Sequence, residues 1–571
     1  MDKTVKKGHP TGLWYLFATE MWERFGYYLM LGIFSLYMLD GWNNGGMGFD
    51  AIKKSDIYGT YLGLVYLTPF IGGLIADRIL GYRKAIILGG LSMATGYFLL
   101  SIHDVTSFYA GLLFVILGNG FFKPNISTLV GNLYSDDDMK DKKDAGYNIF
   151  YMGINIGAFI CNFVAAYMRI NYGWGYAFAA AGVGMLLGVV IFLLGTKHIK
   201  HVDVIKPVKD GDMPTSRILM MTVVPMFIFG IIGYMLPGNF LGTDTNDAFI
   251  IGCLPVIAFF VYLAFKSEAK ESRAIKALLA VFTCVILFFA IFHQNGDALT
   301  VWAEDHTDRQ MSDGVAAVAD KVGMAQVVVN NEIVAAPQAT FDSTIAAMRA
   351  QEEGMPAVTA EELKAKAAYG SSIGQLEKSR KYFATLPADQ IPAQGQDLKL
   401  YSTELYQSIN PFWVVVLTPV IVGIFGLMRR RNREPSTPSK IAIGLVITAL
   451  SALVMVGAVL ATNNLSLKAG SMWLLASYGV ITIGELCLSP MGLSLVSKLS
   501  PPRITALMMG GFFLAISVGN KLSGMLSGLW EGIEQKENFF YLNFGLVMGA
   551  ALVMILMLKW LNGVMRENNV K

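Results

Sequence analysis

The stretch GGLIADRILGYRK, Gly72–Lys84, is a short cationic turn between two apolar runs, near 56–77 and 84–101. Each run is close to the length a helix needs to cross about 30 Å of hydrocarbon at 1.5 Å per residue. Outward from this turn the same alternation fills the chain. Apolar runs recur near 13–39, 108–131, 144–168, 175–195, 217–236, 248–266, 274–300, 409–428, 440–461, 470–497, 503–530 and 538–561, which makes fourteen in all. Of the 571 residues, 54% are apolar and 15% charged. A soluble domain carries about a quarter of its residues charged, and a membrane barrel would show alternating strands of about ten residues. The composition therefore predicts an all-α membrane protein embedded in a lipid bilayer.

The net charge of +3 says little by itself, and no nucleic-acid partner is expected. The distribution of charge says more. Lys and Arg cluster in alternate connections: Lys3, Lys6 and Lys7; Arg78, Arg83 and Lys84; Lys140, Lys142 and Lys143; Lys197, Lys200, Lys206 and Lys209; Lys266, Lys270, Arg273 and Lys276; and Arg429, Arg430, Arg431 and Arg433. The positive-inside rule puts that side, and both termini, in the cytoplasm. No small-residue cleavage site follows the N-terminal segment, so the first helix is expected to stay. The four cysteines, Cys161, Cys253, Cys284 and Cys487, lie inside apolar runs without metal-ligand spacing and read as unpaired, buried thiols.

The pair of spans at 217–266 reads as an inserted hairpin; without it, six helices precede and six follow. The quoted turn, with Gly73, Asp77, Arg78, Gly81, Arg83 and Lys84, resembles the signature loop of the major facilitator superfamily, whose two six-helix halves bind substrate between them near the midplane. The expected organisation is a six-helix bundle at 1–200, an inserted helix pair at 201–273, and a second six-helix bundle at 274–302 and 406–571. Residues 303–405 are polar and Ala-rich and follow an outward-running span, so a small extracytoplasmic appendage is expected there. Val327–Val334 reads as a hairpin turning at Asn330 and Asn331, Thr359-Ala360-Glu361-Glu362 as a helix start, and 371–383 as a second helix. The appendage carries no charge assigned to a cavity, and it is expected to fold as an independent unit dispensable for transport.

Ionisable residues inside spans cost about 2.5–3.5 kcal/mol each unless they face a cavity or a partner. Glu20, Glu23 and Arg24 share one face of the first helix, with Tyr27 continuing it. Lys123 on the fourth span has the charge to balance the surplus carboxylate. Such a network can take up and release a proton; a structural ion cluster docking two helices is the other reading. Glu485 is a lone carboxylate in its helix, expected to face the central cavity and a substrate cation; a residue bonded near a helix end is the alternative. His293 and Asp297 stand four apart, on one face of a helix, as either proton-handling groups or a satisfied structural pair.

These segments resemble the proton-coupled oligopeptide transporter family. Gly8–Tyr28, GHPTGLWYLFATEMWERFGYY, holds its ExxERFxYY motif as Glu20, Glu23, Arg24, Phe25, Tyr27 and Tyr28, and YLTPFIGGLIAD, GNGFFKPNISTLVG, FYMGINIGA, NPFWVVVLTP and GELCLSPMGLS match further family segments in order. The resemblance implies a symporter that imports di- and tripeptides by alternating access, driven by protons, with no cofactor and no metal. It is not an enzyme: no nucleophile or metal constellation is visible. It is expected in the bacterial inner membrane as a monomer. Proton coupling would involve Glu20, Glu23, Arg24, Lys123, His293 and Asp297. Arg24 and Lys123 would face the peptide carboxylate. Tyr27, Tyr28, Tyr66 and Tyr151 would line the pocket and Asn155 would bond the backbone. Asn410 and Glu485 would hold the ammonium end, Ser489 would belong to the substrate site, and Phe512 and Phe513 would line a side-chain pocket. Two positions depart from the family pattern. Leu31 stands where an Arg is common and His293 where an acid is common. The carboxylate clamp loses a cation, so another small amino-acid-like or anionic substrate is the alternative. Gly59 replaces a His found in animal members.

Overall fold

A computed structural model describes residues 8–135, 139, 142–204, 214–501 and 504–568. The Lys and Arg residues predicted at 3–7, 140, 206 and 209 lie outside them. The fold is almost entirely helical. The first half contains α1 (Thr11–Leu39), α2 (Ala51–Ile75), α3 (Tyr82–Leu100), α4 (Val105–Asn132), α5 (Lys143–Tyr172) and α6 (Trp174–Ile199). The predicted hairpin is α7 (Thr215–Met221) and α8 (Val223–Met235), split at Thr222, followed by α9 (Asp244–Lys266). The second half contains α10 (Ala269–Phe292), a short α11 (Ala298–Asp305), α16 (Ile409–Arg430), α17 (Thr437–Ala461), α18 (Ser471–Leu499), α19 (Thr505–Gly528) and α20 (Lys536–Glu567).

Eleven of the described helical spans are long and apolar enough to cross a membrane. The other three predicted spans, α1, α3 and α19, are helices too but less apolar: α1 carries Glu20, Glu23 and Arg24, α3 Arg83 and Lys84, and α19 Asn520 and Lys521 among several glycines and serines. Helix starts follow capping chemistry. The side chains of Asp50 and Asp104 accept from Lys53 N and Ser107 N, each at 2.8 Å. Large apolar side chains point outward, such as Leu194, Phe265 and Leu556, as a lipid-facing surface requires. The four cysteines are free and buried.

The first half builds one core from residues 13–199, around Phe34, Tyr37, Phe108 and Phe178. A second core joins α9, α10, α17, α19 and α20. The halves meet along α2 and α19. There Gly59 and Gly524 let the backbones touch: a Cβ on Gly524 would lie 2.4 Å from Ser55 O and 2.7 Å from Gly59 Cα. The signature turn is a π-helical extension of α2, Ala76–Leu80, closed by Gly81 at φ 78°. Asp203, unremarked in the sequence, accepts from Tyr82 N at 2.9 Å and Arg83 N at 3.3 Å and so caps α3.

The appendage differs from its prediction in two places. Val327–Val334 is not a hairpin. Strand β2 (Gln326–Val329) pairs antiparallel with β3 (Asp397–Leu400), seventy residues away, and Asn331 instead caps a helical turn, α13 (Glu332–Ala335), accepting from Val334 N at 2.9 Å. The two predicted helices are one, α15 (Ala360–Phe383), opened by a Thr359–Glu362 capping box. With α14 (Gln338–Gly354) these elements enclose a small core of Val328, Val334, Phe341, Ile345, Ile373 and Leu400, and α12 (Asp313–Lys321) precedes β2.

Candidate functional site

Polar groups that would be costly in lipid gather in the middle of the bundle. On α1, Arg24 Nη2 donates to Glu23 Oε1 at 2.6 Å, and its Nε lies 3.3 Å from Glu20 Oε1 and also contacts Glu23. All three are at most 3% exposed, and Glu20 Oε2 has no hydrogen-bond partner. The Arg24 guanidinium also sits 5.1 Å from the centre of the Tyr27 ring. One turn of helix thus supplies both carboxylates and their cation, as the i, i+3, i+4 spacing predicts.

Lys123 lies near enough for its charge to act on Glu20 and Glu23, as the sequence expects, but makes no ion pair with either; its Nζ lies 4.3 Å above the Tyr66 ring. Pro124 follows it inside α4, and the side chain is half-buried. A cation held by a ring face keeps its charge available for an anionic ligand. His293 packs edge-on against the same Tyr66 ring, at 5.6 Å, and stacks on Phe289. Tyr28, Tyr66, Asn155, Asn410 and Glu485 are likewise only half-buried, and Tyr151 is half-exposed, so each is reached by solvent, around the space that the resemblance implies between the halves. Asn155 donates to Tyr151 O at 3.0 Å within α5.

On the second half, Asn410 of α16 donates from Nδ2 to Glu485 Oε2 at 3.1 Å and to Thr482 Oγ1 at 2.9 Å. These two residues, read from separate segments, therefore do form one acidic corner. The charge of Glu485 acts on the hydroxyls of Tyr28 and Tyr66 across the space. Ser489 lies one turn along α18 and is half-buried. Phe512 does not line the space. It is 2% exposed and packed edge-on against Phe282 and over Gly492, as a core residue between α10, α18 and α19. Phe513 is half-buried against the same core.

His293 and Asp297 do not share a helix face. α10 ends at Phe292, His293–Gly296 form a 3₁₀ turn, and Asp297 leaves helical geometry at φ −122°, ψ −91°. Asp297, fully buried, instead pairs with Lys54 of α2. Leu31 packs into the first half's core.

A second set of polar contacts, absent from the sequence reading, joins the two halves near the appendage. Lys54 meets Asp297; Lys521 Nζ donates to Asp56 Oδ1 at 2.6 Å; Arg169 Nη2 donates to Glu404 Oε2 at 3.0 Å; and Ser35 Oγ donates to Gly296 O at 2.7 Å. Asp56 also accepts from Thr245 of α9 at 2.6 Å, which ties in the inserted pair. The bundle is therefore closed at the appendage end. Only side chains that become neighbours through folding reveal this; none of these pairs lies within one segment.

A di-/tripeptide transporter of Lactococcus lactis subsp. lactis is 29% identical, over 97% of this chain and 97% of that one. The peptide transporter YePEPT of Yersinia enterocolitica is 28% identical, over 91% of this chain and 88% of its own length. The crystal structure of a peptide transporter POT in complex with sulfate superposes with a TM-score of 0.73 at 26% identity, covering 98% of this chain and 96% of that one. The POT family model matches residues 83–323 and 397–541, and its break falls within the appendage. With more than half of the chain matched, this multi-pass membrane protein belongs to the POT family.

Proposed function

We propose that the protein is a symporter that imports di- and tripeptides together with protons by alternating access. The observation that carries this reading is the arrangement of opposite charges across one space: Arg24 and Lys123 on the first half, the Asn410–Glu485 corner on the second. A zwitterionic peptide presents a carboxylate at one end and an ammonium at the other. Bound between these groups it bridges the halves and favours their closure. The relatives' names, di-/tripeptide transporter and peptide transporter, support the same substrate class.

Glu20 and Glu23, held against one guanidinium out of water, are the groups to carry the proton. One proton crossing 100 mV gains about 2.3 kcal/mol, enough for roughly fifty-fold accumulation of a neutral peptide. No cofactor enters this cycle. The cationic connections put Arg78, Arg83 and Arg429 on the cytoplasmic side of a bacterial inner membrane, and the appendage outside. The working unit is a monomer. His293 and Leu31 favour a second reading, a small substrate that needs one cation fewer at its acidic end. Purified protein in liposomes, with an imposed pH gradient and labelled di-, tri- and tetrapeptides, separates the two. Accumulation of di- and tripeptides, lost on collapsing the gradient, is expected; transport of a single amino acid-like compound that these peptides do not compete against would replace the first reading with the second.

A further inference from the structure

We propose that the appendage is part of the gate: one face of α15 clamps the two halves together at this end, and transport requires that clamp to release. The inference rests on the alternating-access reading above and adds a third component to it.

The appendage is an outgrowth of the second half. The chain enters it from α11 and returns to α16 through Thr403–Ser408. β1 (Thr307–Asp308) pairs in parallel with β4 (Ala469–Gly470), between α17 and α18. Lys381 pairs with Asp305 at 2.7 Å, and Lys468 N donates to Thr385 O at 2.9 Å. The appendage therefore rides on the second half.

Its grip on the first half is separate and specific. Lys378 Nζ lies 2.9 Å from Asp40 Oδ2, at the end of α1. Asn43 Nδ2 donates to Glu352 Oε2 at 3.3 Å, and Asn171 Nδ2 of α5 donates to Gly323 O at 2.7 Å. The acceptors are prepared for this. Asp40 is held by Trp174 Nε1 and Asn44 Nδ2, each at 3.0 Å, and Glu352, 4% exposed, by Arg349 at 3.0 Å. The face of α15 that meets Trp42–Asn44 runs Gly370, Gly374, Lys378, one residue per turn. A Cβ on Gly374 would lie 2.2 Å from Asn44 Oδ1, and one on Gly370 2.2 Å from Glu352 Oε1 and 3.1 Å from Asn43 O. Two glycines give the close approach and the lysine delivers the charge. A decoration without a role would leave a solvated seam, whereas here buried carboxylates of both partners are matched. Because the halves must part at this end to admit substrate, and the appendage is covalently joined to one of them, each of these contacts has to break in every cycle.

The test uses the full chain carrying Asn44→Cys and Gly374→Cys; the four natural cysteines are buried in helices. In liposomes, oxidation should join the two positions, counted by loss of free thiols, and abolish uptake, and reductant should restore it. A second protein, Lys378→Ala with spin labels at Tyr172→Cys and Ser371→Cys, should show a larger long-distance population than the same labels on the parent. Full uptake with the disulfide intact, failure of the disulfide to form, or a single short distance in both labelled proteins overturns the proposal. Distance and cross-linking read the clamp whatever the substrate is; if they behave as expected and no peptide is accumulated, it is the substrate reading that fails.

Discussion

Arg24, in the middle of the bundle, takes both of its carboxylates from its own helix, whereas Lys54, Arg169, Lys378 and Lys521 take theirs from the opposite half. Lys378 is partly exposed; the other pairs of both sets are buried and would be costly to break. The difference lies in what happens when the halves move. A cluster confined to α1 travels as a unit and keeps its partners in every conformation, which suits a group that must bind and hand on a proton. Pairs that span the seam exist only while that end is shut, which suits a latch. Their positions follow the same division: the self-contained cluster lies beside the open interior, and the shared pairs lie toward the appendage.

The latch gives the largest expected effect. Removing one partner of a buried ion pair strands the other charge, at about 3–5 kcal/mol. Lys54→Met, leaving Asp297 unpaired, should therefore shift the open-to-closed ratio at the appendage end by at least ~100-fold. Spin-label distances across α2 and α10 measure it. The double change Lys54→Met with Asp297→Leu should return most of the closed population, since an apolar pair of similar size replaces the ionic one at little net cost. If the single change leaves the distances unaltered, the pair is not a latch and the contrast with α1 collapses.

Glu23→Gln tests the other side of the contrast. It should abolish pH-driven accumulation, a loss of roughly fifty-fold at 100 mV, while leaving exchange of peptide for peptide. Distances at the appendage end should stay as in the parent, because no cross-half contact is touched. Normal accumulation in this variant would remove the coupling role. Glu485→Ala should act more narrowly. Losing a charge-assisted contact with a substrate ammonium costs about 1.5–3 kcal/mol, so apparent affinity for free peptides should fall at least ~10-fold. N-acetylated peptides, which lack that cation, should change little; an equal loss for both would deny Glu485 the amino terminus.

The sequence carried most of the central site because its chemistry is local. Glu20, Glu23 and Arg24 sit within five residues on one turn, and a helical wheel suffices to join them. Glu485 is conspicuous as a lone carboxylate in an apolar run, whereas Asn410 comes from the family resemblance alone. What escaped was long-range pairing. Lys54, Asp56 and Lys521 draw no reading, because their partners appear only when α2, α10 and α19 are brought together, and Asp297 reads as a neighbour of His293 because a periodic pattern does not show that α10 stops at Phe292. The misread hairpin has the same origin. Val327–Val329 has strand character, but its partner, Asp397–Lys399, is seventy residues away, so the nearby asparagines were credited with a turn they do not make. Phe512 shows the reverse limit: an aromatic residue in the correct helix, facing the core where the cavity was expected.

A pH dependence is also expected at the clamp. Between the appendage, α1 and α11 lies a cavity of about 150 Å³, lined by Arg169, Arg309, Lys378, Lys381 and Lys468 against Asp40, Glu304 and Asp305. Lys468 Nζ has no carboxylate partner there; it donates to Asp305 O at 2.8 Å and lies 4.3 Å over the Tyr382 ring. Burial, reinforced by the Arg309 charge and only partly offset by Asp305, Glu304 and Asp308, pushes its ammonium down from 10.5 to about 8. When the halves part, Leu36, Asp40 and Trp174 leave one wall, water reaches Lys468, and its affinity for a proton returns toward the ordinary value. The open form therefore holds the extra proton between about pH 8 and pH 10.5, and linkage makes the closed form more stable as pH rises through that window. Below pH 8 both forms are protonated and the dependence disappears. The long-distance population between labels at Tyr172→Cys and Ser371→Cys in the Lys378→Ala protein should shrink from pH 8 to pH 10. Adding Lys468→Met, which removes the titrating group but keeps the stem, should flatten that slope; an unchanged slope would place the pH response elsewhere in the seam.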